Sequence, residues 1–64
     1  MLNIFEAARA VDRILSEYMY LERIGYVKLG RQVKAVVFRD TLTGKRFEVG
    51  AEELALFAGR KEGV

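Results

Sequence analysis

The sequence predicts an α+β fold in one small globular domain of 64 residues: an N-terminal amphipathic helix, a three-stranded antiparallel meander sheet and a short C-terminal helix. Three observations predict it. Apolar residues recur with a period of 3.6 from Ile4 to Leu21. The period then falls to two through runs rich in β-branched and aromatic residues. Glycines at 25, 30, 44, 50 and 59 fall where one pattern gives way to the next.

On a helical wheel, Ile4, Ala7, Ala8, Ala10, Val11, Ile14, Leu15, Tyr18, Met19 and Leu21 gather on one half. Glu6, Arg9, Asp12, Arg13, Ser16 and Glu17 take the other. Asn3 with Glu6 three residues on is a capping-box pattern, and Gly25 is a natural stop. The prediction is a helix over about residues 4–23. Its apolar half is wider than one small sheet usually covers, and Ile4, Val11, Leu15 and Tyr18 lie on a seam spaced by fours and threes. These four are the candidates for self-association.

Strands are predicted over residues 26–29, 33–40 and 46–49. Thr41-Leu42-Thr43-Gly44-Lys45 reads as a hairpin loop closed by a left-handed glycine, which sets Thr41 opposite Lys45. Counting back pairs Asp40 with Arg46, Phe38 with Glu48 and Val37 with Val49. A three-residue loop over residues 30–32 sets Leu29 opposite Val33, Val27 opposite Ala35 and Tyr26 opposite Val36. Directly opposed residues share a face. One face then carries Val27, Leu29, Val33, Ala35, Val37, Phe47 and Val49 and is assigned to the core. The other carries Tyr26, Lys28, Lys34, Val36, Phe38, Asp40, Arg46 and Glu48.

The closing helix is predicted over residues 51–58, with Glu52 and Glu53 in its first turn and Gly59 as its end. Residues 60–64 read as a frayed terminus. The segment Ala51-Glu52-Glu53-Leu54-Ala55-Leu56-Phe57-Ala58 resembles a degenerate sliding-clamp-binding box, matching it at Leu54 and Phe57. Ala51 stands where the box has glutamine and Ala58 where it has a second aromatic. The resemblance implies a sliding clamp as one protein partner, and helix packing explains the same two residues equally well.

Composition narrows the chemistry. There is no cysteine, histidine, proline or tryptophan, so disulfides, thiolate zinc sites and Ser-His or Cys-His nucleophiles are excluded. Glu52 and Glu53 project about 100° apart on a helix and form no convergent dyad. No catalytic, metal or cofactor residue is expected, and the protein is expected not to be an enzyme. No apolar run approaches the ~18 residues of a membrane span and no signal-peptide pattern opens the chain, which predicts a cytoplasmic protein. Asn3 and Gln32 are the only side-chain amides, a thermophile-like usage.

Charge is informative once divided by segment, because the net +2 is distributed unevenly. The two helices carry an acidic excess. Between them, Arg23, Lys28, Arg31, Lys34, Arg39, Lys45 and Arg46 stand against Asp40 alone. On the predicted outer sheet face Lys28 directly opposes Lys34, an arrangement that favours an anionic neighbour. A chain this short buries only about 60% of the surface it exposes unfolded, so association is an expected source of stability. The leading expectation is a non-catalytic interaction or regulatory protein, homo-oligomeric, docking a macromolecular partner through Tyr26, Lys28, Lys34, Val36, Phe38 and Arg46. The alternative is single-stranded DNA or RNA on the same face, with bases on Tyr26 and Phe38 and phosphates on the cations. The bland reading of that face is that Tyr26, Val36 and Phe38 are covered by the second helix or another subunit.

Overall fold

Asn3 starts the first helix as the capping pattern predicts. Its side-chain oxygen accepts from the Glu6 N–H at 2.8 Å while the Glu6 carboxylate accepts from the Asn3 N–H at 3.2 Å. The computed structural model of the chain describes residues 2–58 and contains β1 (Leu2–Asn3), α1 (Ile4–Glu17), β2 (Leu21–Leu29), β3 (Gln32–Asp40), β4 (Arg46–Gly50) and α2 (Ala51–Ala58). The α+β class holds, with one more short strand than predicted. The predicted end at Gly59 and the terminus beyond it lie outside the described residues.

The sheet is antiparallel, with β3 central, β2 along one side, and β1 and β4 along the other. Both helices pack on one face of it. Leu2, Ala7, Ala10, Val11, Ile14, Val33, Val36, Phe38 and Leu54 form the buried cluster between the layers. The result is thin, about 15 Å in its shortest dimension against 33 and 32 Å in the others.

Helix α1 ends at Glu17, about six residues before the predicted end near residue 23. Its cap, Tyr18, has left the helical region (φ −121°, ψ 83°), and the Leu21 N–H turns back onto the Tyr18 carbonyl at 3.0 Å. Periodicity continues past this point, but β3 is nine residues long and its far end needs a ladder partner. Leu21, Glu22 and Arg23 supply it opposite Asp40, Arg39 and Phe38. Tertiary hydrogen bonds override local helix preference here. Gly25 is therefore a strand residue rather than a helix stop, next to a bulge at Ile24.

The β2–β3 turn has two residues, not three. Gly30 (φ 63°) and Arg31 connect Leu29 to its partner Gln32, with glycine at the first turn position as a type II′ turn requires. This shorter turn would slip the register by one, but Lys34 bulges out of the ladder between Val33 and Ala35. Turn and bulge compensate, so the predicted pairs Val27–Ala35 and Tyr26–Val36 are retained.

The β3–β4 hairpin corrects the other predicted register. Thr41 does not pair with Lys45. Its N–H and Oγ1 both donate to the Tyr20 carbonyl, at 2.9 and 2.6 Å, and it is Asp40 whose N–H meets the Lys45 carbonyl at 2.8 Å. The Asp40 carboxylate accepts from the N–H groups of Leu42 and Thr43 inside the loop. Gly44 (φ 79°) supplies the predicted left-handed residue. The pairs become Arg39–Arg46, Phe38–Phe47, Val37–Glu48 and Val36–Val49. A one-residue slip moves every side chain of a strand to the other face.

The two faces of the sheet are accordingly exchanged over most of their area. Val36 and Phe38, predicted to face outward, are fully buried under the helices. Val33 joins them because the bulge at Lys34 breaks strict alternation, and Val49 packs there as predicted. Val27, Leu29 and Val37, predicted for the core, lie outside its cluster, while Ala35 is buried as predicted. The phenylalanine and the larger valine set go inward, where ring area buries most.

Candidate functional site

The exchange leaves an open outer sheet face whose composition follows from the register. Across the strands run three rows: Glu22, Arg39 and Arg46; Gly25, Val37 and Glu48; Val27, Ala35 and Gly50. Val27 and Val37 are half-buried without touching the core cluster, and Ala35 is 6% exposed. A Cβ added at Gly25 or Gly50 would meet nothing within 4 Å, so the space beside these two glycines, which flank β3, is open. Glu22 and Arg39 form a half-exposed ion pair at its edge.

The six predicted docking residues are not brought together. Val36 and Phe38 belong to the core. Tyr26 packs half-buried against that core with the Arg23 guanidinium 4.9 Å from its ring centre. Lys28, Lys34 and Arg46 are exposed, but Lys28 pairs with Val33 on the helix side whereas Arg46 pairs with Arg39 on the outer side. The predicted opposition of Lys28 and Lys34 is absent because Lys34 is the bulged residue. The basic residues stay at the surface, and Val36 and Phe38 leave them for the core.

The predicted self-association seam is largely used within the chain. Val11 is in the core, and Ile4 and Leu15 pack against it. Tyr18 alone remains exposed, past the end of α1. Leu54, one of the two matches to the clamp-binding box, is fully buried, and Phe57 packs against the same core. An intact fold does not present this pair to a clamp.

A second feature lies on the helix side, where the end of α1, helix α2 and the β3–β4 hairpin diverge. They leave an open cleft of about 320 Å³ lined by Ile14, Tyr18, Tyr20, Leu21, Asp40, Phe47, Val49, Glu53 and Phe57. The Tyr18 and Tyr20 rings meet edge to face, with centroids 6.3 Å apart and planes at 79°. Phe47 stacks on the buried Phe38 with centroids 5.9 Å apart. Met19 and Leu42 are 87% and 79% exposed, in the turn after α1 and the hairpin loop that Thr41 ties together. This cleft was not legible as a site, since it is made by the early helix stop and the one-residue slip. Tyr20, which falls outside the apolar stripe of the helical wheel, is the one local signal of it.

No helix among the described residues is long and apolar enough to cross a membrane, and no group of three or more acidic side chains among them is placed to hold a metal ion. The architecture defines a two-layer α+β protein with one sheet face covered by helices and the other open. No protein-family model matches the chain, and neither a curated protein nor a solved structure matches it.

Proposed function

We propose that this is a non-catalytic, cytoplasmic interaction protein that self-associates through its outer sheet face, with a second copy of the chain as the occupant. The observation that carries the reading is the pair of half-buried valines Val27 and Val37, outside the core cluster on either side of the buried Ala35 and bordered by charges of both signs. Glu22 and Arg39 neutralise each other, leaving Arg46 and Glu48 side by side on β4 with opposite charges. A two-fold contact sets a patch against its own copy, so a surface carrying both signs around an apolar centre is self-complementary. A purely basic face would repel its copy. Burying this area offsets the small core available to 64 residues.

Sedimentation equilibrium over a wide concentration range tests the proposal. The expected mass exceeds the 7.3 kDa of one chain. Val37→Lys is expected to weaken association about tenfold or more, as loss of a central contact does. A single 7.3 kDa species at every concentration overturns self-association. An association untouched by Val37→Lys places it on another surface. The nucleic-acid alternative loses its main support, because Phe38 is buried and has no ring face to offer a base.

A further inference from the structure

We infer that the cleft between α1, α2 and the β3–β4 hairpin is a binding site for a quaternary ammonium group. It is separate from the outer sheet face and does not depend on self-association. Four of its lining residues are aromatic: Tyr18, Tyr20, Phe47 and Phe57. Its two charged lining residues are both carboxylates, Asp40 and Glu53. Nine Lys and Arg residues lie among the described residues, and none of these lines the cleft. An anionic ligand would find only like charge, and a purely aliphatic one would leave the carboxylates idle.

The geometry suits a compact cation. The rings of Tyr18 and Tyr20 stand nearly at right angles, so together they form a corner rather than a flat platform. A cation near such a corner meets the negative π-face of one ring, and further aromatic walls strengthen the attraction as water is displaced. A trimethylammonium group has no N–H that the aromatic walls would leave unsatisfied, and it meets the two carboxylates by charge alone. Asp40 Oδ1 is already engaged by the N–H groups of Leu42 and Thr43, holding that carboxylate at the rim, and Glu53 adds its charge from the first turn of α2. A volume of about 320 Å³ accommodates such a group with a short chain attached.

The test is an NMR titration of the full chain with choline and with its neutral isostere 3,3-dimethyl-1-butanol. Saturable shifts at Tyr18, Tyr20 and Phe57 are expected with choline, and about fivefold weaker binding with the alcohol. Glu53→Gln is expected to weaken choline about threefold and leave the alcohol unchanged, with the far-UV circular dichroism of the native protein retained. A parallel titration with a peptide carrying trimethyllysine separates the two sources of the group: tighter binding than choline assigns it to a protein side chain, weaker binding to a free small molecule. Equal affinity for choline and the alcohol, or no saturable shift with choline and peptide alike, overturns the inference.

Discussion

Phe38 and Phe47 are direct partners on β3 and β4 with stacked rings, yet they differ in burial, Phe38 at 0% and Phe47 at 41% exposure. Phe38 seals the core, and Phe47 carries the same aromatic column out to the wall of the cleft. Phe38→Ala is expected to cost about 3–5 kcal/mol, enough to unfold a domain of this size, and Phe38→Leu to leave it folded but weaker. Phe47→Ala is expected to cost about 1 kcal/mol, near the worth of an aromatic pair. Urea unfolding of the four proteins measures the difference, and equal losses at both positions would contradict the burial asymmetry.

Asp40 and Gly44 hold the hairpin in the register that produces this pairing. Asp40→Ala removes the acceptor for two loop N–H groups and is expected to destabilise by about 1–2 kcal/mol. Gly44→Ala places a side chain at φ 79°, with an expected loss of about 1 kcal/mol from backbone strain alone, since the space around it is open. Midpoints of urea denaturation report both.

At the other end of the molecule, Asn3→Ala should cost about 1 kcal/mol through loss of the capping box, and Asn3→Ser much less because serine also caps. Helix content at low temperature should be unchanged in both variants. A drop in content with an unchanged midpoint would point instead to a frayed helix start.

The Glu22–Arg39 ion pair spans β2 and β3 with both side chains nearly half exposed, at 46% and 45%. Solvent screening leaves such a pair about 0–1 kcal/mol. A double-mutant cycle with Glu22→Gln and Arg39→Gln should show a coupling within that range, falling as salt is raised to about 1 M. Coupling well above it would mean that the outer face is covered under the conditions of the measurement.

Single-stranded DNA or RNA is expected to bind weakly if at all, through exposed cations such as Lys34, with no saturable binding at about 0.15 M salt. Phe38→Leu should not change whatever binding remains at low salt. Fluorescence anisotropy with labelled oligonucleotides checks both statements, and tight, salt-resistant binding would restore a stacking role for an aromatic surface.

The sequence alone specifies the α+β class, the capped start of α1 at Asn3, the left-handed glycine at position 44 and the span of α2, because each rests on residues within a few positions of one another. It also determined that no cysteine or histidine chemistry operates. Tertiary structure alone decided which side of the sheet is core. Alternation makes both faces of β3 readable as apolar, Val33, Ala35 and Val37 on one and Val36 and Phe38 on the other, and only small shifts separate them. Those shifts are set at long range: Thr41 bonds Tyr20, 21 residues away, instead of pairing with Lys45, and Lys34 bulges to absorb a shorter turn. With the face exchanged, Val36 and Phe38 separate from the basic residues. Tyr18, Tyr20, Phe47 and Phe57 come instead from three segments to line one cleft, a grouping that hydrogen bonds between distant strands create and that no local pattern encodes.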